Sequence, residues 1–308
     1  MKGKNLLLIV NPKSGRAKMK TELLSVVEIF SNNGYFVTVY PTKCQGDATV
    51  KISTLKQDEF DIIVVCGGDG TLNEVITGLM NSSIKCDLGY IPSGTLNEWS
   101  SGLNISRNVK QAAEDILTGK TISLDIGKFD ERYFSYTASF GAFTEASYSA
   151  PQEIKNVLGQ AAYFFEGIKS LANIKPIHLK LEVDGEKLED DYLFGAVSNS
   201  MSVGGIVKFS DATVKLNDGK FEVLLIKKPA NLTVLQSIID GILRRDLTRD
   251  GIEFLHAEKI KIFSSVPVSW TLDGEFAEGK GETVIENIHS SIDFIVPNKA
   301  TQLNNIKE

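Results

Sequence analysis

Cysteine, histidine and tryptophan are scarce, at three, three and two residues in 308, and no apolar run approaches the roughly 20 residues that span a bilayer. Cys44, Cys66 and Cys86 are odd in number and lack C-x-x-C spacing, so neither a disulfide framework nor a zinc site is indicated. They read as reduced thiols, which points to a cytoplasmic protein. His178, His256 and His289 are scattered without ligand spacing. The amino terminus, MKGKNLLLIVNPKSG, is basic, but its apolar run ends at Asn11 and Pro12, too soon for a signal-peptide core. With no transmembrane segment expected, any meeting with a membrane is from the surface. Basic residues are also in deficit: 33 Lys and Arg face 39 Asp and Glu, a net charge of -6, so no broad footprint for nucleic acid is expected.

What remains is ordinary globular composition, 42% hydrophobic and 23% charged, in a chain long enough for about two domains. From residue 5 to about 92, β-rich runs (LLLIV, YFVTVY, DIIVVC, LGYIP) alternate with helical stretches near 19–30, 48–55 and from Thr71. That alternation predicts a parallel sheet with helices on its faces. The helix after Gly70 is the clearest, since Leu72, Val75, Ile76 and Leu79 fall on one face. Beyond about Leu124, period-2 runs separated by Asp-Gly turns predict antiparallel hairpins, interrupted by helical stretches near 154–172 and 232–243. The fold class is therefore α/β plus mainly β: a parallel α/β domain over 1–124, which the turns below mark as nucleotide-binding, and a second, β-rich domain over 125–296. A polar tail, 297–308, is free to strap back onto the first domain.

The strongest motif is VVCGGDGTLNEV, in which a buried-type strand runs into Gly67, Gly68, Asp69, Gly70 and Thr71 and then into a helix. Glycines permit positive φ and close approach of a phosphate to backbone N–H groups, and the helix start adds partial positive charge. Asp69 is unsuited to bind phosphate itself and suited to hold Mg²⁺. The plainer reading makes Asp69 a helix cap. A dinucleotide fingerprint fails because Asn73 stands where glycine is wanted, and Gly119-Lys120-Thr121 lacks the Walker glycine, having Glu114 in its place. Two further polar turns follow strands, Asn11-Pro12-Lys13-Ser14-Gly15 and Pro92-Ser93-Gly94-Thr95-Leu96-Asn97. Together the three outline a nucleotide cleft along one sheet edge. Last, Trp270-Thr271-Leu272-Asp273-Gly274-Glu275 ends in two acids at i and i+2. On a strand these share a face and present two carboxylates to one space; read alone, an Asp-Gly-Glu is a hairpin turn.

Taken together, NPKSG (11–15), GDAT (46–49), GGDGTLNEV (67–75), IPSGTLNE (91–98), LDIG (124–127), SNSM (198–201), KLNDGKFEV (215–223) and LDGE (272–275) resemble the diacylglycerol kinase catalytic family, in its soluble bacterial lipid kinase branch. The family is similar to sphingosine kinases and more distantly to NAD kinases. GGDGT alone would also fit NAD kinase. The resemblance implies an α/β domain and a β-sandwich-like domain with ATP in the cleft between them. Carried over by position, Asn11, Pro12, Lys13, Ser14, Gly15, Thr42, Gly68, Asp69, Gly70, Thr71, Leu72, Asn73, Glu74 and Thr95 would contact ATP. Asp69 would serve the magnesium and phosphate machinery. A structural magnesium would lie at Asp218 and the carbonyls of Lys215 and Lys220, with Asp125 in an aspartate network toward the centre. Glu98 departs from the aspartate common at its position and reaches one methylene further. Glu275 would be the base and Asp273 its orienting partner, with a lipid hydroxyl, most simply that of diacylglycerol, as acceptor at a membrane surface. Tyr163, Phe164 and Phe165 are placed to line an acyl groove, to dip into a bilayer surface or, more plainly, to belong to the core. Oligomeric state is not carried by any residue, and a homodimer stays open.

Overall fold

The computed structural model describes residues 3–15, 18–94, 97–141, 175–200, 202–203, 207–208 and 214–298. The chain divides into two units, one of Met1–Ile126 with His289–Glu308 and one of Gly127–Ile288.

In the first unit, β1 (Lys4–Val10), β2 (Tyr35–Pro41), β3 (Ile62–Gly67) and β4 (Asp87–Pro92) pair in parallel in the order β2-β1-β3-β4. The inner strands read as they must when both faces are covered: every residue of β3 is buried, as are the last five of β1 and of β4. The edge strand β2 carries no buried residue, and Phe36 on it is 68% exposed. The helices are α1 (Lys18–Asn32), α2 (Asp47–Ser53), α3 (Asp69–Met80), α4 (Glu98–Gly102) and α5 (Val109–Thr118). Leu72, Val75, Ile76 and Leu79 form the buried stripe of α3, and α2 packs beside it. α5 packs on α1 and starts from Asn108, whose side chain accepts the N–H groups of Lys110 and Gln111.

The second unit is antiparallel. It takes up the end of β5 (Lys120–Phe129), then β6 (Arg132–Phe134), β7 (Thr137–Gly141), β8 (Ile177–Val183), β9 (Glu186–Ser198), a short ribbon of β10 (Ser202–Val203) and β11 (Val207–Lys208), and β12 (Phe221–Lys227). There follow α6 (Leu232–Arg244), β13 (Ile252–Ala257), β14 (Lys259–Phe263), β15 (Val268–Leu272), β16 (Glu275–Gly279) and the start of β17 (Glu282–Val296). The strand order is β16-β15-β7-β9-β8-β14-β17, and β12 joins β9 to β13. Its core is aromatic. Trp270, 1% exposed, lies 5.1 Å from Phe129 and 4.8 Å from Phe140, edge to face, and Phe134 stacks on Phe221 at 5.6 Å. Burying each such ring contributes roughly 1.5–3 kcal/mol from area alone.

The domain boundaries differ from the sequence expectation at both ends. The first unit extends to Ile126, and residues 289–296, expected in the second domain, group with the first. The reason is the length of β17: Lys259–Phe263 pairs with its first residues, while Phe294 near its end pairs in parallel with Leu88 of β4. Phe294 is fully buried, with its ring 5.0 Å from that of Trp99. The Asn298 amide donates to the Thr118 carbonyl at 2.8 Å, and the rest of the tail lies outside the described residues. The expected helical stretch at 154–172, with Tyr163, Phe164 and Phe165, lies outside the described residues. Among those described, no helix is long and apolar enough to cross a membrane.

Phe294→Ala is expected to destabilise the first unit by about 3–5 kcal/mol, because it removes the ring that seats the returning strand. Phe263→Ala, at a 37% exposed position, is expected to cost under about 1 kcal/mol. Urea unfolding of both variants checks this, and equal midpoint shifts would contradict the packing described.

Candidate active site

Three turns meet at the carboxyl ends of β1, β3 and β4. The register pairs Val10 with Cys66 and Gly67 with Pro92, so the residues that follow each strand emerge side by side. Asn11 N–H donates to the Cys66 carbonyl and Ser93 N–H to the Gly67 carbonyl, each at 2.8 Å. Side chains add their own links: the Asn11 amide donates to Thr71 Oγ1 at 2.9 Å, and the hydroxyls of Ser14 and Ser93 lie 2.7 Å apart. Thr42, just past β2, donates its N–H to the Val10 carbonyl at 2.8 Å. Lys13 is exposed above Asn11, whose Oδ1 accepts its N–H at 3.0 Å, and Pro12 sits between them. Glycine is required where the turns touch. A Cβ on Gly94 would stand 2.6 Å from the Gly68 Cα, and one on Gly15, at φ +55°, would stand 1.9 Å from the Ser93 carbonyl oxygen.

Helix α3 starts at Asp69, two residues earlier than the periodicity indicates, with Gly68 in extended backbone before it and no side chain capping it. Asp69 is therefore not the cap of α3. Its Oδ2 accepts the Glu98 N–H at 3.1 Å, across to the first residue of α4. Its Oδ1 is buried with no hydrogen-bond partner among the described residues. Burial pushes the Asp69 carboxyl above the usual range, opposed by the N–H groups of residues 97–99 and by Arg107. A buried carboxylate oxygen in this condition can be satisfied by a water molecule or by a cation.

The rest of the predicted run divides by role. Thr71 is buried beneath Asn11; Gly70 is exposed at the first turn of α3. The Leu72 side chain lies in the core, and Asn73 Oδ1 accepts the Thr77 hydroxyl at 3.1 Å. Glu74 Oε1 accepts the Gly46 N–H at 2.8 Å and its Oε2 the Ala48 N–H at 3.2 Å, so this acid anchors the start of α2. Thr95 lies outside the described residues. Two polar residues here escaped the sequence reading as structural members: Asn97, which holds Gly94 through both its backbone N–H and carbonyl, and Tyr90, whose buried hydroxyl is shared between Asn97 and the Gly67 carbonyl. Both lie within or just before IPSGTLNE; the signal was an amide three residues after the glycine it ties.

In the second unit the strand reading of the two acids is corrected. Asp273, at φ +50°, and Gly274, at φ +88°, are the two central residues of the hairpin that joins β15 to β16, and Leu272 pairs with Glu275. A two-residue turn breaks the alternation, so the acids do not share a face. Asp273 turns inward at 8% exposure, where its carboxylate accepts three consecutive backbone N–H groups: Ser135 at 2.5 Å, Tyr136 at 3.0 Å and Thr137 at 3.0 Å. Glu275 turns outward, its side chain 53% exposed, with Arg132 Nη2 at 3.8 Å. Asp273 and Glu275 are also linked through the hairpin backbone they share.

Asp125 is fully buried; its Oδ1 accepts the Ser290 N–H at 2.8 Å and lies 2.8 Å from His289 Nδ1. Asp218 Oδ1 accepts the Lys220 N–H at 3.2 Å within its own turn, beside Lys215. Among the described residues no three of His, Cys, Asp and Glu gather as a metal cluster. Cys66 is buried and its thiol is pushed well up, and burial with neighbouring Asp87 pushes Cys86 up to about 12, which suits inert structural thiols.

Fold and turns together define the class: residues 5–129 match the diacylglycerol kinase catalytic domain, and residues 138–293 match the YegS C-terminal NAD kinase beta sandwich-like domain. The chain belongs to the diacylglycerol kinase family. It is 35% identical to the diacylglycerol kinase of Bacillus subtilis (strain 168), over 97% of this chain and 99% of that one. With the diacylglycerol kinase of Staphylococcus aureus (strain MRSA252) it shares 32% identity over 96% and 93%. The crystal structure of a diacylglycerol kinase from Bacillus anthracis str. Sterne superposes with a TM-score of 0.73 at 25% identity, covering 97% of this chain and 99% of that one. Another crystal structure from that organism gives 0.80 at 27% identity, over 97% of each chain.

Asp273→Asn leaves one carbonyl to serve three buried N–H groups and adds donors facing donors. It is expected to cost about 2–4 kcal/mol and to lower the melting temperature of the second unit by about 5–15 °C. Asp218→Asn, in a partly exposed turn, is expected to stay within about 0.5 kcal/mol of the parent when both are measured without divalent cations. Calorimetry of both variants checks the contrast; a parent-like melting temperature for Asp273→Asn would contradict the clamp.

Proposed function

We propose that the protein is an ATP- and Mg²⁺-dependent lipid kinase that phosphorylates a lipid hydroxyl, with diacylglycerol as acceptor and phosphatidic acid as product. One observation carries the reading: three glycine-containing turns meet at the carboxyl end of a parallel sheet beside Asp69, one carboxylate oxygen of which is buried with no hydrogen-bond partner among the described residues. Full-length similarity to proteins named diacylglycerol kinase supports it.

The turn residues 11–15 and 68–71, with Thr42 and Thr95, would bind the nucleotide. Backbone N–H groups at the uncapped start of α3 suit the phosphates, since the helix end contributes partial positive charge to an anion. Asp69 fits a magnesium ion, because the ion would satisfy the oxygen that has no partner among the described residues and favour the carboxylate form that burial disfavours. When bound, magnesium supplies charge compensation on the phosphate oxygens. A second, structural ion would be held by Asp218 and the carbonyls of Lys215 and Lys220, an all-oxygen set of the kind hard cations take.

A lipid alcohol is a poor nucleophile near neutral pH and loses its proton as it attacks. Glu275 would accept that proton: it is ionisable and more than half exposed, whereas Asp273 is committed to three backbone donors. The new bond forms between the lipid oxygen and the γ-phosphorus as the bond to the bridging oxygen of ADP breaks. Asp273 holds the hairpin that presents Glu275. Acceptors of this kind lie in membranes, so peripheral contact from the cytoplasmic side belongs to the same proposal.

Transfer from labelled ATP to diacylglycerol, phosphatidylglycerol, undecaprenol and a sphingoid base in mixed micelles, with NAD alongside, tests it. Labelled phosphatidic acid is expected. Transfer to NAD and to no lipid would move the protein to the soluble-substrate kinases, whose beta sandwich the second domain resembles. Glu275→Gln is expected to lower kcat by about 10²–10⁴-fold with little change in ATP affinity, and Asp69→Ala to abolish turnover while the fold persists. A Glu275→Gln enzyme within a few-fold of the parent would remove this residue as base.

A further inference from the structure

We propose that Arg132 is the positioning residue for Glu275, an inference that rests on the reading of Glu275 as the base. The side chain of Arg132 reaches from β6 to the far side of the β15–β16 hairpin. Nη1 donates to the Phe276 carbonyl at 2.9 Å, and Nη2 stands 3.8 Å from Glu275 Oε2.

The platform beneath Arg132 is fixed on every side. Phe129 pairs with Arg132 across the β5–β6 hairpin, whose turn residue Asp130 exchanges hydrogen bonds with Val284: Asp130 N–H donates to the Val284 carbonyl, and Asp130 Oδ1 accepts the Val284 N–H, each at 2.8 Å. Two residues on, Phe134 is fully buried against Phe221. Immediately after it come Ser135, Tyr136 and Thr137, whose N–H groups are taken by Asp273. Segment 132–137 therefore grips the hairpin twice, through Asp273 at the β15 side of the turn and through Arg132 at the β16 side. Glu275 is the residue held between those two grips.

The geometry suits a base that must stay available. A close bidentate guanidinium would occupy both carboxylate oxygens. Here the strong hydrogen bond goes to a backbone carbonyl, and the guanidinium approaches the carboxylate from one side at a distance longer than a hydrogen bond. Arg132 thus fixes the backbone under Glu275 and biases the side chain toward itself without closing over the carboxylate. Both side chains are about half exposed, at 48% and 53%, so the pair adds little to stability, and its effect falls on placement.

The test is a double-mutant cycle in the full chain, with ATP-dependent phosphorylation of diacylglycerol in mixed micelles as the assay. Arg132→Gln is expected to lower kcat about three- to tenfold, with KM for ATP unchanged within twofold and melting temperature nearly unchanged. Introduced into Glu275→Gln, it is expected to cost less than a further twofold, because the group it positions is gone. Equal losses in both backgrounds, or no loss in the parent, would overturn the inference while Glu275 kept its role. If Glu275→Gln alone costs nothing, the reading of the base falls and this inference with it. Should Arg132→Gln fail to fold, Arg132→Lys, which keeps the stem and charge but not the fork, takes its place in the cycle: a loss confined to the Glu275 background supports the positioning role, and equal losses overturn it.

Discussion

Parallel pairing in register forces the ends of neighbouring strands to finish together, and the first unit depends on that constraint. Residues 11, 67 and 93 are far apart in sequence, yet the pairing of Val10 with Cys66 and of Gly67 with Pro92 brings them into hydrogen-bond range. Each turn is then shaped by the others. Gly94 is glycine because Gly68 lies against it, and Ser93 is the partner of Ser14 because β3 separates their strands by one place on either side. A shift of one pair along β3 would dissolve this arrangement without changing a single residue of the turns.

Asp69 in the first unit and Asp273 in the second show how environment divides one side chain into two roles. Asp273 takes three backbone N–H groups and is spent on structure; its carboxylate ties the hairpin to residues 135–137. Asp69 takes the Glu98 N–H on one oxygen, while the other is buried with no partner among the described residues, a condition that favours a nearby cation.

Most of the first unit was legible because its signals are local. Four-residue helical spacing marked the buried face of α3, and uninterrupted apolar runs marked β1, β3 and β4. α4 and α5 gave weaker marks, since α4 has five residues and starts from Asn97 in the left-handed region, a geometry enforced by contacts with Gly94 and Tyr90. In Asp273 and Glu275 two local rules competed, strand alternation and Asp-Gly turn chemistry, and the turn prevailed because Asp273 finds buried donors only when the chain reverses there. Arg132 carried no mark at all. Its importance lies in a contact with Phe276, 144 positions away, which no pattern along the chain displays.

The returning strand has a consequence for biosynthesis. Leu88 emerges from the ribosome long before Phe294, its neighbour in the sheet, and the whole second unit is translated in between. At about 5–20 residues per second, the roughly 200 positions that separate them take roughly 10–40 s. Throughout that interval β4 has an open edge and Trp99 lacks the ring that packs on it. The first half of the chain to be made is thus the last to be finished, and the nascent protein must carry an incomplete parallel sheet while its β-rich insert folds.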